Sequence, residues 1–156
     1  MTPVHAPVFL PDPDATDRLA RSLAPHLGAG DVLLLQGQIG AGKTQFARAL
    51  IRALTRPDED VPSPTFTLVQ VYDAPGFEIW HADLYRLTHP DEAIELGLLD
   101  AFETALCLVE WPERLAGDQP KQALTLQFSL SGEGRTVAFR SGDPRWASRL
   151  EGLPDV

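Results

Sequence analysis

The sequence predicts an α/β fold: a mostly parallel sheet flanked by helices, with antiparallel hairpins added to it. Three observations carry this expectation. Asp31–Gln36 (DVLLLQ) and Ala105–Val109 (ALCLV) are short, continuously apolar runs, the pattern of strands covered on both faces. A helix-periodic segment begins within ten residues of the first run. Elsewhere, pairs of strand-like runs are joined by glycine-containing turns, which is hairpin chemistry.

The elements follow in chain order. Leu10-Pro-Asp-Pro-Asp14 opens a helix with Asp14 as its N-cap, and Leu19, Ala20, Leu23 and Leu27 recur at helical spacing. Pro25 kinks or ends that helix, and Gly28 and Gly30 close it. After the DVLLLQ strand comes a glycine-rich loop, Gly37–Thr44, and then a helix from Lys43 to about Leu54. Phe46, Ala47, Leu50, Ile51 and Leu54 form its apolar face, with Gln45, Arg48 and Arg52 toward water. Arg56–Pro64 is a loop, because Pro57, Pro62 and Pro64 exclude regular structure. Thr65–Tyr72 and Phe77–Leu84 are predicted strands of a hairpin across Asp73–Gly76. Thr88 or His89 caps a helix with Pro90 in its first turn and Asp91 and Glu92 beside it. A second hairpin, Leu124–Leu130 with Arg135–Arg140, and a short terminal helix over Trp146–Leu150 complete the chain. Residues 1–156 are expected to form one domain.

Composition narrows the function classes. The 156 residues are 44% hydrophobic and 22% charged, a globular balance. A domain of this size buries about two-thirds of its unfolded surface and needs no metal or disulfide staple. With 22 Asp+Glu against 13 Lys+Arg, the net charge of −9 speaks against a stand-alone nucleic-acid binder. Cys107 is the single cysteine, which excludes an intrachain disulfide and a cysteine zinc cluster. The four histidines lack paired metal-ligand spacing. Met1–Leu10 has neither a basic start nor a long apolar stretch, and no run reaches the ~18 apolar residues of a membrane span. A cytoplasmic protein is expected.

The loop Gly37-Gln-Ile-Gly-Ala-Gly-Lys43-Thr44 fits G-x-x-x-x-G-K-[ST] in full, between a predicted strand and a predicted helix. Its glycines let successive N–H groups face one anion, and the helix N-terminus adds positive potential. Lys43 places an ammonium at the β- and γ-phosphates, and the Thr44 hydroxyl can coordinate Mg²⁺. A P-loop nucleoside-triphosphate-binding domain is therefore expected, with Gly37, Gln38, Ile39, Gly40, Ala41, Gly42, Lys43, Thr44 and Gln45 at the nucleotide. Glu110, at the end of the ALCLV strand, is the better metal acid; Asp83 would orient the attacking water or share the metal's water shell. His81 lies two residues before Asp83 on the same strand face. No [NT]-K-x-D stretch reads guanine, so adenine is the default base. No arginine finger or water-activating glutamine stands out, so intrinsic hydrolysis should be slow. Ser63-Pro-Thr-Phe66 lies where a γ-phosphate-sensing loop is found in switch proteins. Trp80, Trp111 and Phe128 are expected to pack rather than stack on bases.

With these pieces assembled, the chain resembles the TsaE (YjeE) family of P-loop ATPases. The resemblance rests on GQIGAGKT at 37–44, SPTFTLV at 63–69, HADLYRL at 81–87 and CLVEWPER at 107–114. It implies ATP and Mg²⁺ as cofactors, with Thr44 and Glu110 on the metal, Asp83 at the catalytic centre beside Lys43, and Thr65 in a switch-like loop. It also implies that Pro11–Thr16 and the Gly134-Arg135 turn lie near the adenine, although Pro13 replaces an expected acid. The implied partner is a TsaB–TsaD complex acting in threonylcarbamoyladenosine (t6A) modification of tRNA, which this chain would drive or reset without touching the tRNA. Two alternatives remain open at this point: a small-molecule P-loop kinase, and a nucleotide sensor without useful turnover.

Overall fold

The computed structural model describes residues 1–153; the last three residues of the expected domain lie outside the described residues. A single seven-stranded sheet runs through the molecule. Its strands are β1 (Thr2–Leu10), β2 (Val32–Gln36), β3 (Val69–Ala74), β4 (Phe77–Asp83), β5 (Leu106–Glu110), β6 (Leu124–Ser131) and β7 (Gly134–Ser141). Their order is β1-β7-β6-β2-β5-β4-β3. The four central strands β6, β2, β5 and β4 are parallel, and β1, β7 and β3 add antiparallel pairs at the two edges. The predicted α/β class and the antiparallel additions are both present.

The helices are α1 (Pro13–Leu23), α2 (Lys43–Leu54), α3 (Asp91–Glu95), α4 (Leu98–Thr104) and α5 (Arg145–Arg149). Alternation along the buried strands sends side chains to two cores. Leu33, Leu35, Leu106 and Leu108 face α1 and α2, where Leu19, Leu23, Phe46, Leu50 and Ile51 complete one core. Val32, Leu34, Cys107 and Val109 face the other way, against Ala93, Leu98 and Phe102 of α3 and α4. Burial raises the Cys107 thiol pKa to about 12, so it stays an uncharged packing group. No helix among the described residues is long and apolar enough to cross a membrane.

Five local expectations are corrected. Asp12, not Asp14, caps α1: its carboxylate accepts from Ala15 N at 2.9 Å, because Pro13 occupies the first helical position. Thr65–Leu68 is a turn rather than strand. Leu68 N bonds to Pro64 O at 2.7 Å, and Leu68 takes the left-handed conformation (φ 68°) that turns the chain into β3. Thr88 and His89 precede the helix they were expected to cap, and the Glu92 carboxylate reaches back to both of their N–H groups at 3.0 Å. Arg48 and Arg52 are half-buried: their Nε atoms donate to Val61 O and Glu59 O, each at 3.0 Å, tying the loop after α2 to that helix. Finally, Thr2–Leu10, given no element by the sequence, is an edge strand paired to β7 with two register shifts.

Candidate functional site

The carboxyl ends of β2, β4 and β5 converge on one cleft, as the parallel register dictates: Leu35 sits opposite Glu110, and Glu110 opposite Asp83. Ligands of open α/β sheets bind at such ends. The cleft has a volume of about 500 Å³ and is bordered by Ile39, Gly40, Gly42, Lys43, Thr44, Gln45, Ser63, Thr65, Asp83 and Glu110, among others.

The glycine-rich loop leaves β2 through Gly37 (φ 146°), where a Cβ would lie 2.7 Å from Phe128 O. Only glycine allows that close approach. Gly40 (φ 81°) and Gly42 (φ 105°) complete the curl. Gly42 is the N-cap of the twelve-residue α2, and no side chain among the described residues caps it. Ala41 turns inward and is fully buried, while Ile39 stands 71% exposed at the rim. Gln38 borders an adjoining cavity with Trp111 and Glu113.

Within the cleft, the Lys43 ammonium donates to Gly37 O and lies 3.4 Å from the Trp111 ring centroid. Burial lowers its pKa, opposed by the charges of Glu110, Glu113 and Asp83. Thr44 Oγ1 donates to Glu110 Oε1 at 2.7 Å. The other oxygen, Oε2, meets His81 Nε2 at 2.7 Å, in a pair with His81 fully buried and Glu110 2% exposed. Both oxygens of Glu110 are thereby fixed, and His81 Nδ1 has no partner among the described residues. Asp83 is held separately: Oδ2 accepts from Thr65 Oγ1 at 3.1 Å and Oδ1 from Tyr85 N at 3.0 Å. Ser63 Oγ extends the chain of hydroxyls, 2.8 Å from Thr65 Oγ1.

A second, smaller cavity of about 160 Å³ adjoins the loop on its other side. Asp12, Pro13 and Thr16 of the α1 start, together with Gln45, Gly134 and Arg135, line it. Arg135 Nη2 donates to Gly40 O at 3.0 Å, so the β6–β7 turn grips the glycine-rich loop. Gly134 is required there, since a Cβ would lie 2.6 Å from Leu10 O.

Most of the expected residues line two adjoining cavities that share Gly40, Gly42 and Gln45, while Gly37 and Gln38 border a third and Ala41 is buried. Sequence reasoning missed two features. Trp111, read as a packing residue, covers the Lys43 ammonium; its left-handed backbone (φ 58°), unusual for a large residue, swings it over the cleft. His81 was placed only as a neighbour of Asp83 and is bonded to Glu110 instead. Its i, i+2 spacing to Asp83 on a strand next to β5 was the available signal.

The oxygen donors Thr44, Glu110 and Asp83 suit a hard divalent cation such as Mg²⁺. Among the described residues there is no group of three or more His, Cys, Asp or Glu side chains placed to enclose a metal by themselves.

Residues 10–137 match the family described as threonylcarbamoyl adenosine biosynthesis protein TsaE. The tRNA threonylcarbamoyladenosine biosynthesis protein TsaE of Rickettsia felis is 42% identical, with 92% of each chain covered. Its counterpart in Bacillus subtilis is 34% identical over 91% of this chain and 89% of that one. The crystal structure of Bacillus subtilis YdiB superposes with a TM-score of 0.76 at 26% identity, covering 95% of this chain and 93% of that chain. Likeness over this length, reaching beyond the glycine-rich loop to the strand ends that build the cleft, means that the chain belongs to the TsaE family of threonylcarbamoyladenosine biosynthesis proteins.

Proposed function

We propose that this chain is a cytoplasmic, Mg²⁺-dependent ATPase that drives or resets a TsaB–TsaD complex during t6A modification of tRNA. The observation that carries the ATPase reading is the 2.7 Å bond between Thr44 Oγ1 and Glu110 Oε1 at the foot of an uncapped helix. It brings the loop hydroxyl and the strand-end carboxylate together, the two protein ligands that a P-loop metal needs.

In this reading the loop N–H groups and the α2 N-terminus bind the phosphates, and Lys43 leaves Trp111 to sit at the β- and γ-phosphates. Mg²⁺, when bound, neutralises phosphate charge and polarises the bond to be broken. Thr44 and Glu110 hold the cation, with His81 fixing the far oxygen of Glu110. Asp83 orients the attacking water. Thr65, bonded to Asp83, couples this centre to the Ser63–Phe66 turn, so that γ-phosphate loss can release the turn. Asp12–Thr16, Gln45, Gly134 and Arg135 surround the base. The net charge of −9 argues for action through the protein partners rather than on tRNA directly.

The test has two parts. Mg²⁺-dependent phosphate release without any acceptor, stimulated by TsaB–TsaD, supports a cycling ATPase; release only with a small-molecule acceptor supports a kinase. Multi-round tRNA modification is then compared with and without the chain, and equal rates rule out the resetting role.

A further inference from the structure

On the outer face of the α1–α2 pair lies a groove of about 550 Å³ that shares only Gln45 with the nucleotide cleft. Arg21 of α1 stands on one wall, and Arg48 and Arg52 of α2 on the other. Arg48 and Arg52 are four residues apart, hence side by side on one helix face. A chain of net charge −9 thus gathers three cations in one concavity. Like charges at this spacing repel. Among the described residues, no carboxylate oxygen comes within 4.0 Å of any of the three guanidinium groups. Asp17 is the one acid in the lining.

Two of the arginines are also held in place. Their Nε atoms are spent on Val61 O and Glu59 O, each at 3.0 Å, while their terminal nitrogens have no hydrogen-bond partner among the described residues. A guanidinium fixed in this way offers its terminal pair as a planar fork, matched to a carboxylate. Fixing it beforehand lowers the ordering cost of binding.

We propose that this groove docks an acidic peptide segment of a partner protein, with its carboxylates on Arg21, Arg48 and Arg52. The small side chains of Ala49 and Ala53 on the lining leave room for an extended backbone. Gln45 and Asp17 can bond to peptide N–H groups, Gln45 also to carbonyls. RNA is the weaker fit. Its affinity grows with the number of phosphates neutralised, and three arginines beside Asp17 on an acidic protein neutralise few. The proposal does not rest on the ATPase reading.

The test uses the full ¹⁵N-labelled chain in solution NMR. The probes are a capped octapeptide of alternating Glu and Ala, its Gln–Ala counterpart, a single-stranded RNA octamer and inorganic pyrophosphate. The Glu peptide is expected to shift the Nε–H signals of Arg48 and Arg52 and the α1–α2 amides, with the Gln peptide silent. Added salt should weaken the effect. Arg21→Gln should weaken binding about three- to tenfold. That variant is the clean one, because Arg21 makes no side-chain hydrogen bond among the described residues, whereas Arg48→Gln and Arg52→Gln also release the loop after α2. Lys43→Ala should leave the Glu-peptide shifts intact, which separates the groove from the phosphate loop. The proposal is overturned if the RNA shifts these signals and the Glu peptide does not. It is equally overturned if pyrophosphate matches the peptide, or if Arg21→Gln changes nothing.

Discussion

Gly37–Thr44 and Ser63–Leu68 border the same cleft, yet different forces hold them. The first loop is gripped by backbone and core: Gly37 lies under Phe128, Ala41 is buried, Ala41 N bonds to Gln38 O at 3.1 Å and Arg135 to Gly40 O. The second is held by the Leu68 N to Pro64 O bond and by hydroxyls that lead to Asp83, and Phe66 stands 85% exposed. A loop locked by packing can present a fixed cradle. A loop tethered in part through the Asp83 carboxylate changes its support if that carboxylate changes partners. On the function proposed above, the difference would separate a part that recognises from a part that reports.

The largest expected effect breaks the rigid side. Phe46 is fully buried beneath the loop, with its ring 5.6 Å from that of Phe128. Phe46→Ala should cost about 3–5 kcal/mol of stability. Thermal unfolding measures it, and a near-wild-type melting temperature would mean that the loop does not rest on this packing.

Lys43→Ala acts on function instead. Turnover should fall about 10²- to 10³-fold with little change in melting, because the ammonium faces the cleft and not the core. Normal phosphate release from this variant would sink the P-loop assignment.

A smaller effect is expected from Glu110. Glu110→Gln should reduce Mg²⁺-dependent turnover about 10- to 100-fold while sparing metal-free nucleotide binding. His81→Asn should move the Mg²⁺ titration the same way, less strongly, since it frees only the outer oxygen. If Asp83→Asn alone shifts that titration, the two acids have exchanged roles.

The smallest change falls on the reporting side. Thr65→Ala removes the hydroxyl between Ser63 and Asp83 and should alter stability by about 1 kcal/mol or less. It should instead shrink the difference in TsaB–TsaD affinity between a non-hydrolysable ATP analogue and ADP, a coupling typically worth about 1–3 kcal/mol. Equal affinities in the unmutated chain would refute the switch role of this turn.

The same contrast explains what was legible in the sequence. Lys43–Leu54 begins and ends as predicted, because a glycine-rich start and a strict apolar stripe are both local signals. β2 and β5 were visible as apolar runs, and Glu110 at a strand end followed from them. The 65–68 segment misled because Thr-Phe-Thr-Leu has strand propensity, while Leu68 adopts a positive φ that no residue type announces. β1 was hidden by Pro3 and Pro7 and by register shifts that break any alternation; only pairing with β7 makes it a strand. Arg48 and Arg52 look solvent-directed on a helical wheel, but their carbonyl partners lie 13 and 7 residues away, beyond any period. The Lys43–Trp111 contact is of the same long-range kind.

The pairing of β1 with β7 has a consequence for the order of events during synthesis. Residues Thr2–Leu10 leave the ribosome long before their partner, Gly134–Ser141. Until then the first strand has nothing in the described sheet to bond to, and the cavity between the α1 start and Gly134–Arg135 lacks one wall. Closing so distant a contact is slow in entropic terms. On the function proposed above, nucleotide could not help the chain fold through that cavity before Gly134 and Arg135 have been made. A nascent chain stalled before Gly134 should expose its N-terminal strand to protease, and ATP should not protect it.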